Sequence, residues 1–310
     1  MVALIIGGLG ILALLFVPLS TWGTAVVGFI GFDARSGSFQ FIPPGADFFL
    51  LGAFAAYAGG GGVANLTLSN WARDKGYGMS SSVGFIPAAV GGKKVALAHS
   101  GSTFAPDAAS LERWRGWWRI VRVDQWGVYF TGAVLGMALP ALLYVTFVPA
   151  GSDIRGLGIA AALAQAVATQ KGAIFGGAIA ILGVWILFKT QLDILEGMTR
   201  AITDILWTGS TRIRSWRGGD VRVVYYSVLV VISIWGILAL RLTQPIVLLT
   251  LSANMAGIVF IISSLHLLYV NTRLLPVELR PPLWRRLALV ALALFYGLFL
   301  TMWLWSLARA

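Results

Sequence analysis

Four consecutive glycines, Gly59 to Gly62, interrupt an apolar run at 46–69, and polar Asn65 follows them closely. Each glycine destabilises a helix by about 1 kcal/mol relative to alanine, and the freed backbone groups find no hydrogen-bond partner in lipid. Membrane proteins tolerate such a break where it lines a cavity, and free carbonyls there can bind cations. The pattern predicts an ion or solute site at the break. Close helix packing through small residues is the alternative interpretation.

Ionisable side chains mark a second apolar run, at 172–195. Lys189 and Asp193 are four residues apart, so they share a helical face on which they can neutralise each other, and Glu196 follows three residues later. Ionisable residues at bilayer depth are usually functional, which predicts a polar path here. The alternative is that both carboxylates lie at the membrane interface. Asn254 lies in another apolar run and is also assigned to this polar path. Its side chain either acts as a carbonyl ligand or forms an interhelical hydrogen bond.

The elements that must position these residues are transmembrane helices. Of 310 residues, 58% are hydrophobic and only 11% are charged, whereas soluble domains carry about 25% charged residues. The sequence predicts an all-α polytopic membrane protein, with one transmembrane domain over 1–310 and a long cytoplasmic loop at 71–125. Seven apolar windows are candidate spans: 2–30, 46–69, 126–149, 172–195, 222–242, 245–270 and 285–308.

The net charge of +11 indicates how those spans are oriented. If the amino terminus is cytoplasmic, 17 of the 23 Lys and Arg fall in the internal loops 71–125, 196–222 and 271–286. The positive-inside rule then predicts a cytoplasmic amino terminus. The run 113–119 contains three Trp and three Arg. This composition is typical of the headgroup level, so membrane lipid is a predicted partner and nucleic acid is not.

The sequence lacks the residue types that several kinds of catalytic and metal site require. The chain has no Cys and only two His, which excludes disulfide scaffolds, thiol catalysis and cysteine-based metal centres. It also contains no hydrolase elbow and no phosphate-binding Walker loop. We therefore predict that the protein is not an enzyme and holds no resident cofactor.

The layout resembles the later helices of the Nramp family of proton-coupled divalent metal transporters, most closely a divergent bacterial branch. The resemblance lies in the broken span with Asn65 and Leu66, the long basic loop, the Gln191-bearing span and the sequence at 271–275. It covers nearly the whole chain, from the family's fifth helix to its eleventh. Where the family has Met-Pro-His before Asn-Leu, this chain has Gly62, Val63 and Ala64.

The resemblance implies the second half of a LeuT-like transporter in a bacterial inner membrane. Its metal ligands would be carbonyls at Gly60, Gly61 and Gly62 together with Asn65 and Gln191, and the divalent metal ion would be the substrate. The family's first helix, with its Asp-Pro-Gly-Asn ligands, is absent from the sequence, so we expect this chain to be the carboxy-terminal portion of a longer transporter.

Two departures from the family affect the ion expected. Loss of the Met removes the soft ligand that favours transition metals, and loss of the His removes a candidate proton acceptor. The remaining oxygens suit Mg²⁺ as well as Mn²⁺. Two alternatives stay open: a non-transporting membrane interaction protein, and a small-solute transporter with the same fold.

Overall fold

Helices form most of the protein in the computed structural model, which describes residues 2–34, 36–42, 45–58, 62–86, 97–101, 103–152, 158–242 and 244–309. The helices are α1 (Val2–Phe16), α2 (Leu19–Phe29), α3 (Phe48–Tyr57), α4 (Leu68–Asp74), α5 (Ser80–Val83), α6 (Ala108–Arg122), α7 (Thr131–Phe147), α8 (Gly158–Lys171), α9 (Ala173–Gly209), α10 (Thr211–Ser215), α11 (Val221–Ala239), α12 (Pro245–Tyr269) and α13 (Leu283–Arg309). Two short antiparallel strands, β1 (Phe32–Asp33) and β2 (Ser38–Phe39), pair Phe32 with Phe39.

Within the described residues, five helical segments are long and apolar enough to cross a membrane: Ala108–Phe147, Ala173–Gly209, Val221–Ala239, Pro245–Leu274 and Leu283–Trp305. The bent pair α1 and α2 makes a sixth if it is one span. This confirms the all-α class and fits a helical membrane protein. The predicted count of seven stays a prediction: the described residues of the predicted span 46–69 include a short apolar helix, α3, that is not long enough to count as a span.

The first predicted span, 2–30, is not one straight helix. The chain bends by 119° between its two halves, and Pro18 stands at the start of the second half. Proline has no N–H to donate and disfavours helical backbone in the residue before it, so α1 ends at Phe16.

Two helices extend further than the apolar pattern predicted, and one was missed. α6 begins inside the predicted loop 71–125, where Asp107 caps it, and it continues through a π-helical segment at Val123–Phe130 into α7. α9 runs for 37 residues, well beyond the predicted end at residue 195. The missed helix is α8, a 14-residue element whose alanines and polar residues are too weakly apolar to resemble a span.

The chain divides into two compact units. Unit 1 comprises Met1–Ala46 and Trp126–Leu192, and its core is a cluster of apolar side chains from α1, α7, α8 and the first part of α9. Ala13, Leu143 and Val167 are fully buried there. The rings of Phe147 and Phe175 meet the ring of Phe16 edge-on, with centroids 6.2 and 4.9 Å away. Apolar packing is therefore the main contact among the helices of unit 1, and the Gln170 amide on α8 adds a hydrogen bond to the carbonyl of Phe147 on α7 at 3.0 Å.

Unit 2 comprises Asp47–Gln125 and Asp193–Ala310. Helices α3, α12 and α13 pack against one another in one part of it, around Ala53, Ala56 and Ala253. In another part, Ile86 and Leu97 pack with Trp207 near the end of α9 and with the first turns of α11. The prediction of a single transmembrane domain stays a prediction.

Candidate functional site

The predicted break is present as an interruption between α3 and α4. α3 begins at Phe48 because the Asp47 carboxylate accepts hydrogen bonds from the N–H groups of Phe49 and Leu50, at 2.9 and 3.2 Å. It ends after ten residues at Tyr57, and Ala58 has extended backbone. The chain resumes as a 3₁₀ helix at Gly62–Thr67 and then as α4. The apolar run is thus divided as the glycines predicted.

The predicted ligands at the break are only partly described. Gly60 and Gly61 lie outside the described residues, whereas Gly62 is the first residue of the 3₁₀ helix. Asn65 lies in the middle of that helix and is half-buried. The hydroxyl of Thr67 donates to the carbonyl of Ala64 at 2.8 Å. That bond helps to hold the tight turn in which Asn65 stands.

Helices α12 and α13 enclose the half-helix that precedes the break. The amide of buried Asn254 donates to the carbonyl of Phe49 and to that of Thr250, both at 2.9 Å. Tyr57 and Ser252 share a hydrogen bond between their hydroxyls at 3.0 Å, and the Tyr296 hydroxyl donates to the carbonyl of Ala55 at 3.2 Å. α3 is thus fixed along its length by side chains from neighbouring helices. For Asn254, the structure shows the interhelical hydrogen bond.

Gly52 permits the close approach of α3 and α12. A Cβ at this position would lie 2.7 Å from the Oδ1 of Asn254, closer than two such atoms can come. The absence of a side chain at Gly52 therefore makes room for the Asn254 amide, which supports the helix-packing interpretation for this glycine.

The half-helix that follows the break ends in a group of polar and charged side chains around buried Arg200. We call this group the Arg200 network, and its members are Asn70, Arg73, Asp74, Glu196, Arg200 and Asp204. Arg200, on α9, is only 5% exposed. It forms an ion pair with Asp74, at the end of α4, and donates to the carbonyl of Ile86 at 2.6 Å. Its Nη2 also lies 2.6 Å from an oxygen of Glu196, one turn earlier on α9.

A second cation extends the network along α4. Arg73 donates from Nε to Asp74 at 3.0 Å and from Nη1 to Asp204 at 2.8 Å. Asn70 donates to the same Asp204 oxygen at 3.2 Å. An unpaired charge in a low-dielectric interior is strongly unfavourable, so these mutual contacts are what allow Arg200 to be buried. Together they hold α4 and Ile86 against the second half of α9.

Sequence reasoning missed most of this network, although part of its pattern is visible in the sequence. Glu196, Arg200 and Asp204 follow one another at intervals of four residues, which places acid, base and acid on one helical face. The prediction treated Glu196 as a polar-path residue and gave Arg200 only a topological role. The contacts with Asp74 and Asp204 link residues more than 100 positions apart, and no local pattern encodes such a pairing.

The remaining predicted residues do not form one described site. Gln191 is exposed and belongs to unit 1, whereas Asn65 belongs to unit 2. Lys189, also in unit 1, and Asp193, in unit 2, are both half-buried and engaged in interactions of their own. The shared ligand set of Gln191 with Asn65 therefore stays a prediction. Among the described residues, no three His, Cys, Asp or Glu side chains are grouped so as to hold a metal ion.

Comparisons of the chain with known protein families, with curated proteins and with solved structures found no match. The resemblance to the Nramp family stays a prediction from the sequence motifs.

Proposed function

We propose that the protein is a membrane transport protein that moves a divalent metal cation, with the cation bound at the interruption between α3 and α4. The observation that carries this proposal is the length and setting of α3. Ten helical residues extend about 15 Å, half the roughly 30 Å of a bilayer's hydrocarbon core. A half-helix that ends at such depth suits a site where backbone oxygens face an ion rather than lipid.

The two sides of the interruption are anchored separately, which supports a site at the break. Before it, Asn254 and Tyr296 hydrogen-bond to carbonyls of α3. After it, the Arg200 network fixes α4 to α9. A binding site needs supporting elements that hold its ligands in place, and a helix broken between two anchored halves provides them.

The chemistry available at the break favours a hard cation. In this proposal, carbonyls at Gly60, Gly61 and Gly62 and the amide of Asn65 bind the ion. Oxygen ligands without thiolate or thioether select Mg²⁺ or Mn²⁺ over softer ions. Transport is coupled to protons in a LeuT-like alternating-access cycle.

Uptake of radiolabelled Mn²⁺ or Mg²⁺ into proteoliposomes tests the proposal. We expect Asn65→Ala to lower uptake per folded molecule at least tenfold. Asn70→Ala is the matched control, because Asn70 supports Asp204 of the Arg200 network at 3.2 Å. It should lower stability and leave uptake per folded molecule unchanged. Uptake that is insensitive to Asn65→Ala would exclude this residue as a ligand.

A second candidate function, a membrane interaction protein without transport activity, is favoured by one observation. Gly52 and Asn254 show that small and amide residues near the break serve helix packing. Thermal unfolding with added divalent cations separates the two candidates. If the protein binds the cation, its free energy of unfolding should rise by about 2.7 kcal/mol at a cation concentration 100 times the dissociation constant. If the glycines only pack helices, the free energy of unfolding should not change.

A further inference from the structure

A cleft of about 950 Å³ lies within unit 2, between α6 and the connection from α12 to α13. Four arginines line it: Arg115 and Arg122 from α6, Arg280 from the connection and Arg285 from the first turn of α13. We call it the arginine cleft. It is separate from the interruption between α3 and α4, and no residue of the proposed cation site lines it.

One face of α6 forms a wall of the arginine cleft. Its lining residues are Leu111, Trp114, Arg115, Trp118 and Arg122. Their spacings of three and four residues place them in a single stripe along the helix. Arg113 and Arg119 are on α6 as well but do not line the cleft. The two sets of arginines on one helix can therefore be distinguished by experiment.

The charges of the arginine cleft are poorly balanced by the protein. One carboxylate, Glu278, lines the cleft beside the four arginines, and within the described part of the chain none of the four forms an ion pair. The Nε of Arg280 donates to the carbonyl of Leu275 at 3.0 Å. Because a guanidinium has five N–H donors, most of the donors here remain available to an anion.

Aromatic contacts fix the position of one of these cations. The guanidinium of Arg285 lies 4.1 Å from the centre of the Trp118 ring and 5.1 Å from that of Trp284. Such stacking restricts the orientation of a long side chain while its N–H groups still point outward. Arg285 is therefore oriented before any ligand arrives.

Part of the lining of the arginine cleft is apolar. Leu275, Leu289 and Leu292 line it, and the last two belong to the apolar helix α13. The cleft is situated where α12 ends and α13 begins, which is where the apolar spans meet the headgroup level of a bilayer. It therefore combines guanidinium groups that form no ion pair with any described residue and an apolar surface that continues into the spans.

From this combination we infer that the arginine cleft binds an anionic phospholipid, with the lipid phosphate held by the arginines and an acyl chain lying on the leucines. Guanidinium groups bind phosphate oxygens in bidentate geometry, and basic pockets between helices at the membrane surface bind lipid headgroups. A soluble phosphate ester would bind the arginines but would have no acyl chain to contact the leucines that line the cleft.

Titration of the full chain in neutral detergent with dansyl-labelled phosphatidylglycerol tests the inference, with energy transfer from tryptophan as the readout. We expect Arg115→Gln with Arg122→Gln to weaken binding at least tenfold. The matched control is Arg113→Gln with Arg119→Gln, which removes the same charge from the same helix outside the cleft. It should change the affinity by less than twofold. Dansyl-labelled phosphatidylcholine should bind weakly to all three proteins.

Three outcomes would overturn the inference. Equal weakening by both pairs of substitutions would show general attraction to the basic helix rather than a site. Unchanged binding in both would show that the arginines of α6 take no part. Displacement of the labelled lipid by glycerol 3-phosphate as readily as by unlabelled phosphatidylglycerol would show that the ligand is a soluble phosphate ester. None of these results bears on cation uptake, so this inference and the proposed function can fail separately.

Discussion

The two units of the molecule differ in how much polar contacts add to the apolar packing of their helices. Unit 1 is built on apolar contacts among α1, α7, α8 and the first part of α9. In unit 2, polar groups hold α3 and α4 in place: amide and hydroxyl bonds to α3, and the Arg200 network on α4. Lipid competes well for apolar side chains but cannot satisfy a buried charge or carbonyl. A unit that must hold an interrupted helix in one geometry therefore benefits more from polar contacts than from apolar ones.

The largest effect we expect is from Asp74→Asn in unit 2. It leaves Arg200 buried with much of its neutralising charge removed, and breaking a buried pair in this way costs about 3–5 kcal/mol. Unfolding of the purified protein in mixed micelles of neutral and denaturing detergent measures the loss. Asp220→Asn is the control: it removes the pair with Arg222, whose side chain is 33% exposed, and should cost much less.

A double variant sharpens this test. If the penalty comes from an unneutralised guanidinium, Arg200→Gln in the Asp74→Asn background should cost less than Arg200→Gln alone. Additive losses would mean that the two side chains stabilise unit 2 independently, and the contrast between the units would then lose its main support.

The next effect concerns the apolar core of unit 1. Leu9→Ala removes a side chain that is 5% exposed in the core and should cost about 2 kcal/mol through lost packing. Leu14→Ala makes the same change on the same helix at a side chain that is 76% exposed, and it should be nearly neutral. The same unfolding experiment compares them. A similar loss from both variants would contradict the core described for unit 1.

Gly52→Ala tests the close approach of α3 to α12. The new methyl group would lie 2.7 Å from the Asn254 Oδ1, so the amide must move and its bond to Phe49 must weaken, at about 1–3 kcal/mol. At Gly297, in α13, nothing lies within 4 Å of the added atom. There the same substitution should stabilise the helix by about 0.5–1 kcal/mol. We therefore expect Gly52→Ala to lower the free energy of unfolding and Gly297→Ala to raise it. A change in the same direction at both positions would contradict the described packing.

The smallest effect is a pH dependence at the start of α6. The N–H of Ser110 donates to Asp107 at 2.7 Å, and this bond holds the pKa of that carboxyl below its ordinary value of 3.8. A carboxyl with a lowered pKa stabilises the folded state above the ordinary value and loses that contribution as the pH falls. Protection of the Ser110 amide from hydrogen exchange should therefore drop below about pH 4.

Asp107→Asn serves as its control, because asparagine caps a helix without titrating in this range. The variant should show no such pH step. A step of equal size in Asp107→Asn would assign the pH dependence to another group.

The sequence predicted the helical membrane class well because each apolar window depends only on its own residues and not on distant contacts. Apolar windows at 222–242, 245–270 and 285–308 lie close to the observed helices α11, α12 and α13. Pro18 and the glycines near residue 60 were visible as helix breakers, although the consequence of Pro18 was missed. α6 was predicted to be part of a loop, because arginines interrupt its tryptophans and leave no apolar run. An amphipathic helix, however, needs only one apolar face.

The sequence by itself determined where the chain is apolar, where its helices are interrupted and which residue types stand at the interruption, since these are local properties. Only the tertiary structure decided which polar groups meet. Asp74 contacts Arg200 from 126 positions away, and Asn254 contacts Phe49 from 205 positions away. The four arginines of the cleft likewise come from three separate parts of the chain. Such partnerships depend on how helices pack, and packing depends on the shapes of both surfaces together rather than on the pattern of either one.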